Sequence, residues 1–306
     1  MNNRIAIIDL GTNTFHLLIV EINGKTPILI HQETIPASLG EGGMKDGNIK
    51  SSAFERGLEA LKQFNRQIEL HQANKVKALA TSALRSASNG AKFIDQVLSD
   101  TGIQIELING DREAELIYSA VSAAINMGSN TSLIMDIGGG SVEFIICNQE
   151  QIFWKKSYDI GAARLMNRFH HSDPISKSDM EDLQAYLNTV LEDLKNEIQK
   201  FNPIQLIGSA GAFETYASLI DANFKASFEK PGFQIDLKEF EKIAQYIIES
   251  KKEERAKNPA IPEIRVNMIV VACLLTRYVL SLHTFQELKL STYSMKEGIL
   301  FEMIKN

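Results

Sequence analysis

The chain has 306 residues, of which 44% are hydrophobic and 23% are charged, a composition that can bury the core of one or two globular domains. Its 32 Lys and Arg against 38 Asp and Glu give a net charge of -6, which argues against a nucleic-acid-binding protein that relies on a general basic surface. The two cysteines lie far apart in the sequence, so we expect neither a disulfide framework nor a zinc site. Because the sequence shows no signal-peptide pattern and no apolar run of bilayer length, we expect a cytoplasmic protein without a membrane partner.

Short apolar strands alternate with amphipathic helices along the first half of the chain. The Asn23-Gly24 pair is typical of a tight hairpin between two strands. After a first strand that ends at Asp9, the predicted strands are 16–22, 26–34, 76–80 and 103–108, and the predicted helices are 51–73, 89–100 and 112–126. This alternation favours an α/β layer with a mainly parallel sheet.

A polar segment at residues 126–130 interrupts this order, and the pattern then begins again. The predicted strands are 132–136, 142–148, 152–158, 204–208 and 288–291, and the predicted helices begin at 161, span 176–201, lie around 212–220, 236–256 and 262–283, and begin again at 296. We therefore predict two similar α/β lobes, residues 1–125 and 126–306, with a cleft between them.

Each predicted lobe begins with a carboxylate at the end of its first strand, followed by small or hydroxyl residues. Asp9 precedes Gly11, Thr12, Asn13 and Thr14, and Asp136 precedes Gly138, Gly139, Gly140 and Ser141. A single such segment would be only a turn former. Two copies at matching places favour two turns whose backbone N–H groups bind a phosphate chain, with both carboxylates turned towards its metal ion.

Glu143 lies seven residues beyond Asp136 and is a third candidate ligand for the metal. The alternative is an exposed strand residue with no ligand. Carboxylate oxygens that bind a cation bridged to phosphate are typical of Mg²⁺ or Mn²⁺. The sequence thus predicts such an ion at Asp9, Asp136 and Glu143.

Five motifs in order resemble the exopolyphosphatase and guanosine pentaphosphate phosphohydrolase family of the actin, hexokinase and heat-shock chaperone superfamily. The resemblance runs from residue 4 to about residue 300, and its motifs are the segments 7–18, 80–85, 110–118, 135–143 and 161–165. It implies two ribonuclease-H-like lobes of the actin-like ATPase type, in a short member of the family.

The resemblance also implies roles for individual residues. Glu113 falls on the family's catalytic glutamate, which acts on the attacking water, although a carboxylate in a first helical turn is also favoured by the helix dipole alone. Arg85 falls on a phosphate-contacting arginine, with a plain surface arginine as the alternative. Gly208 and Ser209 resemble a turn that binds phosphate further along the groove, with helix–strand packing as the alternative.

Some positions depart from the family's usual pattern. Asn109 stands in place of Ser, Ser38 in place of a basic residue, Asn267 in place of Asp and Lys296 in place of Arg. Arg112 stands where an acidic residue often precedes Glu113, and an extra cation there would lower the pKa of the Glu113 carboxyl. These departures bear on the preferred substrate more than on the reaction type.

The expected function is therefore that of an exopolyphosphatase, which releases orthophosphate from the end of inorganic polyphosphate with Mg²⁺. The alternatives are a guanosine pentaphosphate 5′-phosphohydrolase, a kinase or ATPase of the same superfamily, and a non-catalytic sensor of polyphosphate or guanosine tetraphosphate. The presence of Glu113 and Glu143 weighs against the sensor. A homodimer is also expected.

Overall fold

A computed structural model describes residues 3–24, 26–43, 46–209 and 211–305. The chain divides into two compact units, unit 1 with residues Met1–Leu116 and Met295–Asn306, and unit 2 with residues Ile117–Ser294. This division lies nine residues before the predicted boundary at 125/126 and places the C-terminal helix with the first unit. The domain limits 1–125 and 126–306 themselves stay a prediction.

Unit 1 is built around one mixed sheet. Its strands are β1 (Arg4–Leu10), β2 (Phe15–Asn23), β3 (Thr26–Ile35), β4 (Lys75–Ala80) and β5 (Ile105–Leu107), and its helices are α1 (Ser51–Leu70), α2 (Ser82–Ser86), α3 (Gly90–Thr101), α4 (Gly110–Ala124), which continues into unit 2, and the C-terminal helix Met295–Lys305. The strand order is β3-β2-β1-β4-β5, in which β1–β2 and β2–β3 are antiparallel and β1–β4 and β4–β5 are parallel. Between Arg4 and Asp9, the central β1 is a continuous apolar run that is buried on both faces of the sheet.

Unit 2 repeats this plan and adds one strand. Its strands are β6 (Ser132–Ile137), β7 (Val142–Cys147), β8 (Ile152–Tyr158), β9 (Gln205–Ser209), β10 (Gly232–Ile235) and β11 (Glu287–Ser291). Its helices are α5 (Ala162–Phe169), α6 (Lys177–Val190), α7 (Glu192–Phe201), α8 (Gly211–Ile220), α9 (Leu237–Glu249), α10 (Lys252–Lys257) and α11 (Ile269–Ser281). The C-terminal helix, which belongs to unit 1, is called α12. The order β8-β7-β6-β9-β11 matches that of unit 1, and β10 adds antiparallel to the edge of β11.

The predicted α/β fold with two ribonuclease-H-like units is confirmed, and several local details were wrong. The helix predicted over 176–201 is two helices, because the backbone leaves helical geometry at Leu191. The helix predicted around 236–256 is likewise interrupted at Ser250. The short strand β10 and the short helix α2 were not predicted. In the described part of the chain, no helix combines the length and the apolar character needed to cross a membrane.

Candidate active site

The turn after β1, Gly11–Thr14, and the turn after β6, Gly138–Ser141, share one hydrogen bond; we call them the first turn and the second turn. Gly11 N donates to Thr14 O at 3.1 Å, and Gly138 N donates to Ser141 O at 3.0 Å. A Cβ atom on either glycine would lie 3.0 Å from that same carbonyl oxygen. Glycine is favoured at the start of both turns because the backbone folds back so closely there. Two segments that read alike in the sequence thus fold alike.

The carbonyl groups of the second turn face the start of α5. The donors are Ala162 N to Gly138 O at 2.9 Å, Ala163 N to Gly139 O at 3.0 Å and Gly161 N to Gly140 O at 3.2 Å. Gly161 permits this approach, since a Cβ there would lie 2.4 Å from the backbone of Gly139. Residues 161–165 form one of the five motifs of the resemblance, but no role was predicted for this helix start. Its signal was the run of small residues, 161–163, which begins three positions after the end of β8 at Tyr158.

The N–H groups of the second turn point the other way. In a trans peptide the N–H lies opposite the preceding C=O, so the amides of Gly139, Gly140 and Ser141 point away from α5. Within the described ranges, none of these three N–H groups has a hydrogen-bond partner. Successive N–H groups with a common direction form a nest for an anion. The second turn therefore has the geometry of a phosphate-binding turn.

A loop supports the first turn by donating hydrogen bonds to its carbonyl groups, as the start of α5 supports the second turn. Ser38 N donates to Asn13 O at 2.8 Å, and Gly40 N approaches Thr12 O at 3.4 Å. Arg56, on α1, holds this loop through hydrogen bonds from Nε to the carbonyl of residue 37 at 2.8 Å and from Nη2 to the carbonyl of Ser38 at 3.1 Å. Ser38, a departure from the family pattern, thus supports the first turn with its backbone. Ser38 was named from the sequence only as a departure, and neither the supporting role of this loop nor that of Arg56 was predicted.

Two of the predicted metal ligands lie directly opposite each other on β6 and β7. Asp136 and Glu143 are cross-strand partners, so their side chains project from the same face of the sheet. The Ser209 hydroxyl donates to Asp136 Oδ2 at 2.9 Å, and the Ser157 hydroxyl donates to Glu143 Oε1 at 2.6 Å. Glu143 is buried, which contradicts the alternative of an exposed strand residue. The two carboxylates are oriented beside the second turn.

Asp9 occupies the matching position at the end of β1, but its partner on β2 is His16. His16 Nε2 lies 3.0 Å from Thr14 Oγ1, and His16 Nδ1 lies 2.9 Å from Thr34 Oγ1. The imidazole thus contacts the last side chain of the first turn. The cross-strand pair beside the first turn has one carboxylate, whereas the pair beside the second turn has two.

The carboxylate pair of unit 2 fits a hard divalent cation. Its donors are all oxygen atoms, which Mg²⁺ and Mn²⁺ prefer. In the part of the chain that the structure describes, no three His, Cys, Asp or Glu residues are grouped so that they could hold a metal ion. Magnesium is usually held by one or two carboxylates, with water and substrate phosphate as the remaining ligands. Asp136 and Glu143 match that requirement, and the metal-binding role of Asp9, Asp136 and Glu143 stays a prediction.

Glu113 and Arg85 come together in unit 1. Glu113 is buried in the first turn of α4, where Asn109 caps the helix by accepting from the N–H of Arg112 at 2.8 Å. Asparagine serves as a helix cap as well as the Ser usual in the family. Arg85 Nη1 donates to the carbonyl of Ile108 at 2.9 Å and lies 3.5 Å from Glu113 Oε2. A carboxylate and a guanidinium are thereby placed side by side, although their catalytic roles stay predictions.

Arg112 forms ion pairs with Glu302, on α12, and with Glu115. The hydrogen bond to Glu302 is the main cause that raises the pKa of the Arg112 guanidinium. The cation that was expected to lower the pKa of Glu113 is therefore engaged by two other carboxylates.

Gly208 and Ser209 have structural roles in unit 2. A Cβ on Gly208 would lie 2.0 Å from the ring of Phe213, so the glycine makes room for helix–strand packing. Ser209 is 1% exposed, and its hydroxyl hydrogen is used by Asp136. Ala210, the next residue of this motif, lies outside the described residues. The packing alternative accounts for Gly208, and a phosphate contact by either residue stays a prediction.

The two ribonuclease-H-like units, each with a glycine-led turn after its first strand, define a protein of the actin-like class. A family model described as the Ppx/GppA phosphatase family matches residues 18–306, and the chain belongs to this family. As a member of a phosphatase family, it is a hydrolase.

Similar proteins of known structure cover nearly the whole chain. The crystal structure of an exopolyphosphatase from Cytophaga hutchinsonii ATCC 33406 is 39% identical, has a TM-score of 0.96 and covers 99% of this chain and 98% of that chain. The Ppx/GppA family member of Aquifex aeolicus is 24% identical, with a TM-score of 0.83 and coverage of 99% of this chain and 97% of that chain, which shows the same fold.

A relative found by sequence matches a smaller part of the chain. The bifunctional 3-dehydroquinate synthase/phosphatase of Fusobacterium nucleatum subsp. nucleatum is 32% identical over 224 residues, 70% of this chain and 34% of that relative. This chain spans about a third of that relative's length.

Proposed function

We propose that the protein is an exopolyphosphatase that hydrolyses the terminal phosphate of inorganic polyphosphate with Mg²⁺ and releases orthophosphate. The observation that carries this proposal is the second turn, where three backbone N–H groups point to one side beside the Asp136 and Glu143 pair. A chain of phosphates presents repeated anionic oxygens, which such a nest binds without reading a base or a sugar. The 39% identity to an exopolyphosphatase over almost the full length supports the same substrate.

The residues of each unit have distinct proposed roles. The first and second turns bind phosphoryl oxygens through their amides, and Arg85 neutralises charge on the phosphoryl group, because a guanidinium fork matches its oxygens. Asp136 and Glu143 would hold Mg²⁺ or Mn²⁺, which when bound supplies charge stabilisation at the phosphoryl oxygens.

Glu113 would orient the attacking water and accept its proton. The water oxygen forms a bond to the terminal phosphorus while the bridging P–O bond breaks, and the bond electrons leave with the shortened chain. Little covalent chemistry by the protein is required, since positioning and charge stabilisation supply most of the acceleration. The buried position of Glu113, 3.5 Å from Arg85, suits this role because burial limits the rotation of its carboxylate into solvent.

Release of orthophosphate from defined substrates tests the proposal. We expect release from polyphosphate, slower release from guanosine pentaphosphate, and none from ATP, all requiring Mg²⁺ or Mn²⁺. Preferred release from guanosine pentaphosphate would replace polyphosphate as the substrate. Binding of polyphosphate without any release would establish a sensor and overturn the proposal.

A further inference from the structure

Arg164 contacts the second turn from the side opposite the nest. It lies in the first turn of α5, and its Nε donates to the carbonyl of Gly140 at 2.8 Å. Its Nη2 lies 3.8 Å from Asp159 Oδ1, and Asp159 has a side chain that is 70% exposed. An ion pair that long and that exposed contributes little to stability. The contact with the backbone of the turn is therefore the more informative one.

A cation is electrostatically unfavourable at this place in a helix. The N-terminal end of a helix carries partial positive charge, which favours acidic residues, yet the first turn of α5 contains no acidic residue. The unfavourable position of Arg164 needs a compensating interaction. The carbonyl of Gly140 provides one, since a hydrogen bond from a guanidinium is charge-assisted.

The carbonyl of Gly140 accepts two hydrogen bonds, from Gly161 N at 3.2 Å and from Arg164 Nε at 2.8 Å. Both lone pairs are then used, so the peptide between Gly140 and Ser141 is held in one orientation. The N–H of Ser141 belongs to the same peptide and points away from α5. Because hydrogen bonds in a chain polarise one another, a donor on the carbonyl makes the N–H of the same peptide a stronger donor to an anion.

We propose that Arg164 is a positioning residue for phosphate: it fixes and polarises the Gly140–Ser141 peptide so that the N–H of Ser141 binds a phosphoryl oxygen. This inference rests on the proposed function, because the anion is taken to be a phosphate of the substrate. The guanidinium itself acts through the backbone and does not touch the phosphate. Arg164 thus adds positive charge to the nest from behind without occupying space in it.

Two variants of Arg164 and one control on the same helix test the proposal. Arg164→Gln removes the charge, and Arg164→Lys keeps the charge but not the guanidinium. Arg168→Gln is the matched control, since Arg168 lies on α5, one turn further along, over the rings of Phe169 and Tyr186 at 5.0 Å and 4.2 Å. It makes the same charge change on the same helix without a contact to the turn.

Orthophosphate binding and the kinetics of polyphosphate hydrolysis are measured separately. Orthophosphate is titrated with Mg²⁺ into protein labelled with ¹⁵N-glycine, and the amide signals of Gly139 and Gly140 report the nest. We expect Arg164→Gln to weaken orthophosphate binding and to raise KM for polyphosphate about tenfold, the lower end of the effect seen when a group that hydrogen-bonds a metal ligand is removed. We expect kcat to change less, because the nest binds phosphate before and during the reaction. Arg164→Lys should recover part of the loss, and Arg168→Gln should match the wild type.

The outcomes separate this inference from the proposed function. If the wild type releases no phosphate from polyphosphate but orthophosphate still shifts the Gly139 and Gly140 signals, the proposed function fails and the Arg164 variants remain a valid test by binding. If Arg164→Gln lowers the melting temperature yet keeps wild-type phosphate affinity and KM, Arg164 is only structural and the inference is overturned. Glycine signals that do not respond to orthophosphate in the wild type overturn it as well.

Discussion

Asp136 and Glu143 face each other across β6 and β7 as a directly opposed pair of carboxylates. Opposed residues in an antiparallel pair have Cβ atoms about 5 Å apart, and like charges at that distance are destabilising. The equivalent pair in unit 1, Asp9 and His16, lacks the second carboxylate. The two units therefore differ at this position. In unit 2 alone, a bound cation would relieve repulsion between two opposed carboxylates.

The first prediction concerns that repulsion. Glu143→Gln should raise the Mg²⁺ concentration needed for half-maximal activity, because one ligand charge is lost. Without metal, the variant should be as stable as the wild type or more stable, by up to about 1 kcal/mol, because an unfavourable charge pair has been removed. Thermal unfolding and phosphate release, each measured across a Mg²⁺ titration, check both effects.

Glu181→Gln is the control for this experiment, since Glu181 is an exposed carboxylate on α6. It should change neither the Mg²⁺ requirement nor the effect of Mg²⁺ on the melting temperature. Asp136→Asn should behave like Glu143→Gln. Full activity of the wild type in excess chelator would refute the metal assignment.

The second prediction separates the roles of Glu113 and Arg85. Glu113→Gln should lower kcat by roughly 10²–10⁴-fold with little change in polyphosphate binding, as expected when general-base help is removed. Arg85→Ala should weaken binding and turnover together, because its charge meets phosphate in both states. Steady-state kinetics and a direct binding measurement distinguish the two patterns.

Glu115→Gln, on the same helix as Glu113 and 45% exposed, controls for the loss of a carboxylate near the start of α4. It should retain wild-type kcat. Hydrolysis by Glu113→Gln at the wild-type rate would show that the assigned mechanism is wrong, and Glu143 would be the next candidate.

The two turns could be predicted from the sequence because their structure is local. A carboxylate, a glycine and small residues between two apolar strands determine the turn within ten residues, and the duplication supports each copy. The supports behind the turns could not be predicted in this way. Arg164 and Arg56 act on backbone atoms that lie 24 and 18 or 19 residues away in sequence, and no side-chain pattern records such contacts.

The position of the C-terminal helix also depends on packing that sequence order does not show. A Cβ on Gly298 would lie 2.0 Å from the carbonyl of Leu116, so α12 packs closely against α4 within unit 1. The order of the chain alone assigns residues 295–306 to the second lobe, because they follow it directly.

The break between α6 and α7 could not be predicted from hydrophobic periodicity. The apolar pattern of α6 continues into α7, although the backbone leaves helical geometry at Leu191.

The third prediction concerns Gly208, for which the sequence allowed two roles, phosphate binding and helix–strand packing. Gly208→Ala should destabilise unit 2 by about 1–3 kcal/mol, the usual cost of forcing an extra carbon into a packed site. Its new methyl would overlap the ring of Phe213. Denaturant unfolding measures the loss, and the second substitution Phe213→Leu should recover part of it in the double variant.

Ala217→Gly is a useful comparison, since it changes an alanine buried on the same helix, α8, without crowding β9. Because Phe213 lies one turn away on α8, Phe213→Leu should add to the loss of stability in this variant and should not recover it. If Gly208→Ala is as stable as the wild type but loses phosphate affinity, the phosphate-binding role is right and the packing account of Gly208 is wrong.

The last prediction concerns an ion pair far from the turns in sequence. Arg255 is 1% exposed, and its Nη2 donates to Asp173 Oδ1 at 2.7 Å. Burial alone would raise the pKa of the Asp173 carboxyl, but hydrogen bonds from Arg255 and the Lys252 amide outweigh it and hold the pKa below its usual 3.8. A carboxyl whose pKa is lowered by folding contributes stability above its unfolded-state pKa, and this contribution is lost as the pH falls through its folded-state pKa.

Asp173→Asn should therefore lower the free energy of unfolding by about 2–3 kcal/mol at neutral pH, less than for a fully buried pair because Asp173 is partly exposed. The difference from the wild type should shrink as the pH falls below about 3.8, whereas Asp182→Asn, an exposed change on α6, should show no such trend. Urea unfolding at pH 7, 5 and 3 gives the comparison, and an equal loss at pH 7 and pH 3 would contradict a role for the Asp173 charge.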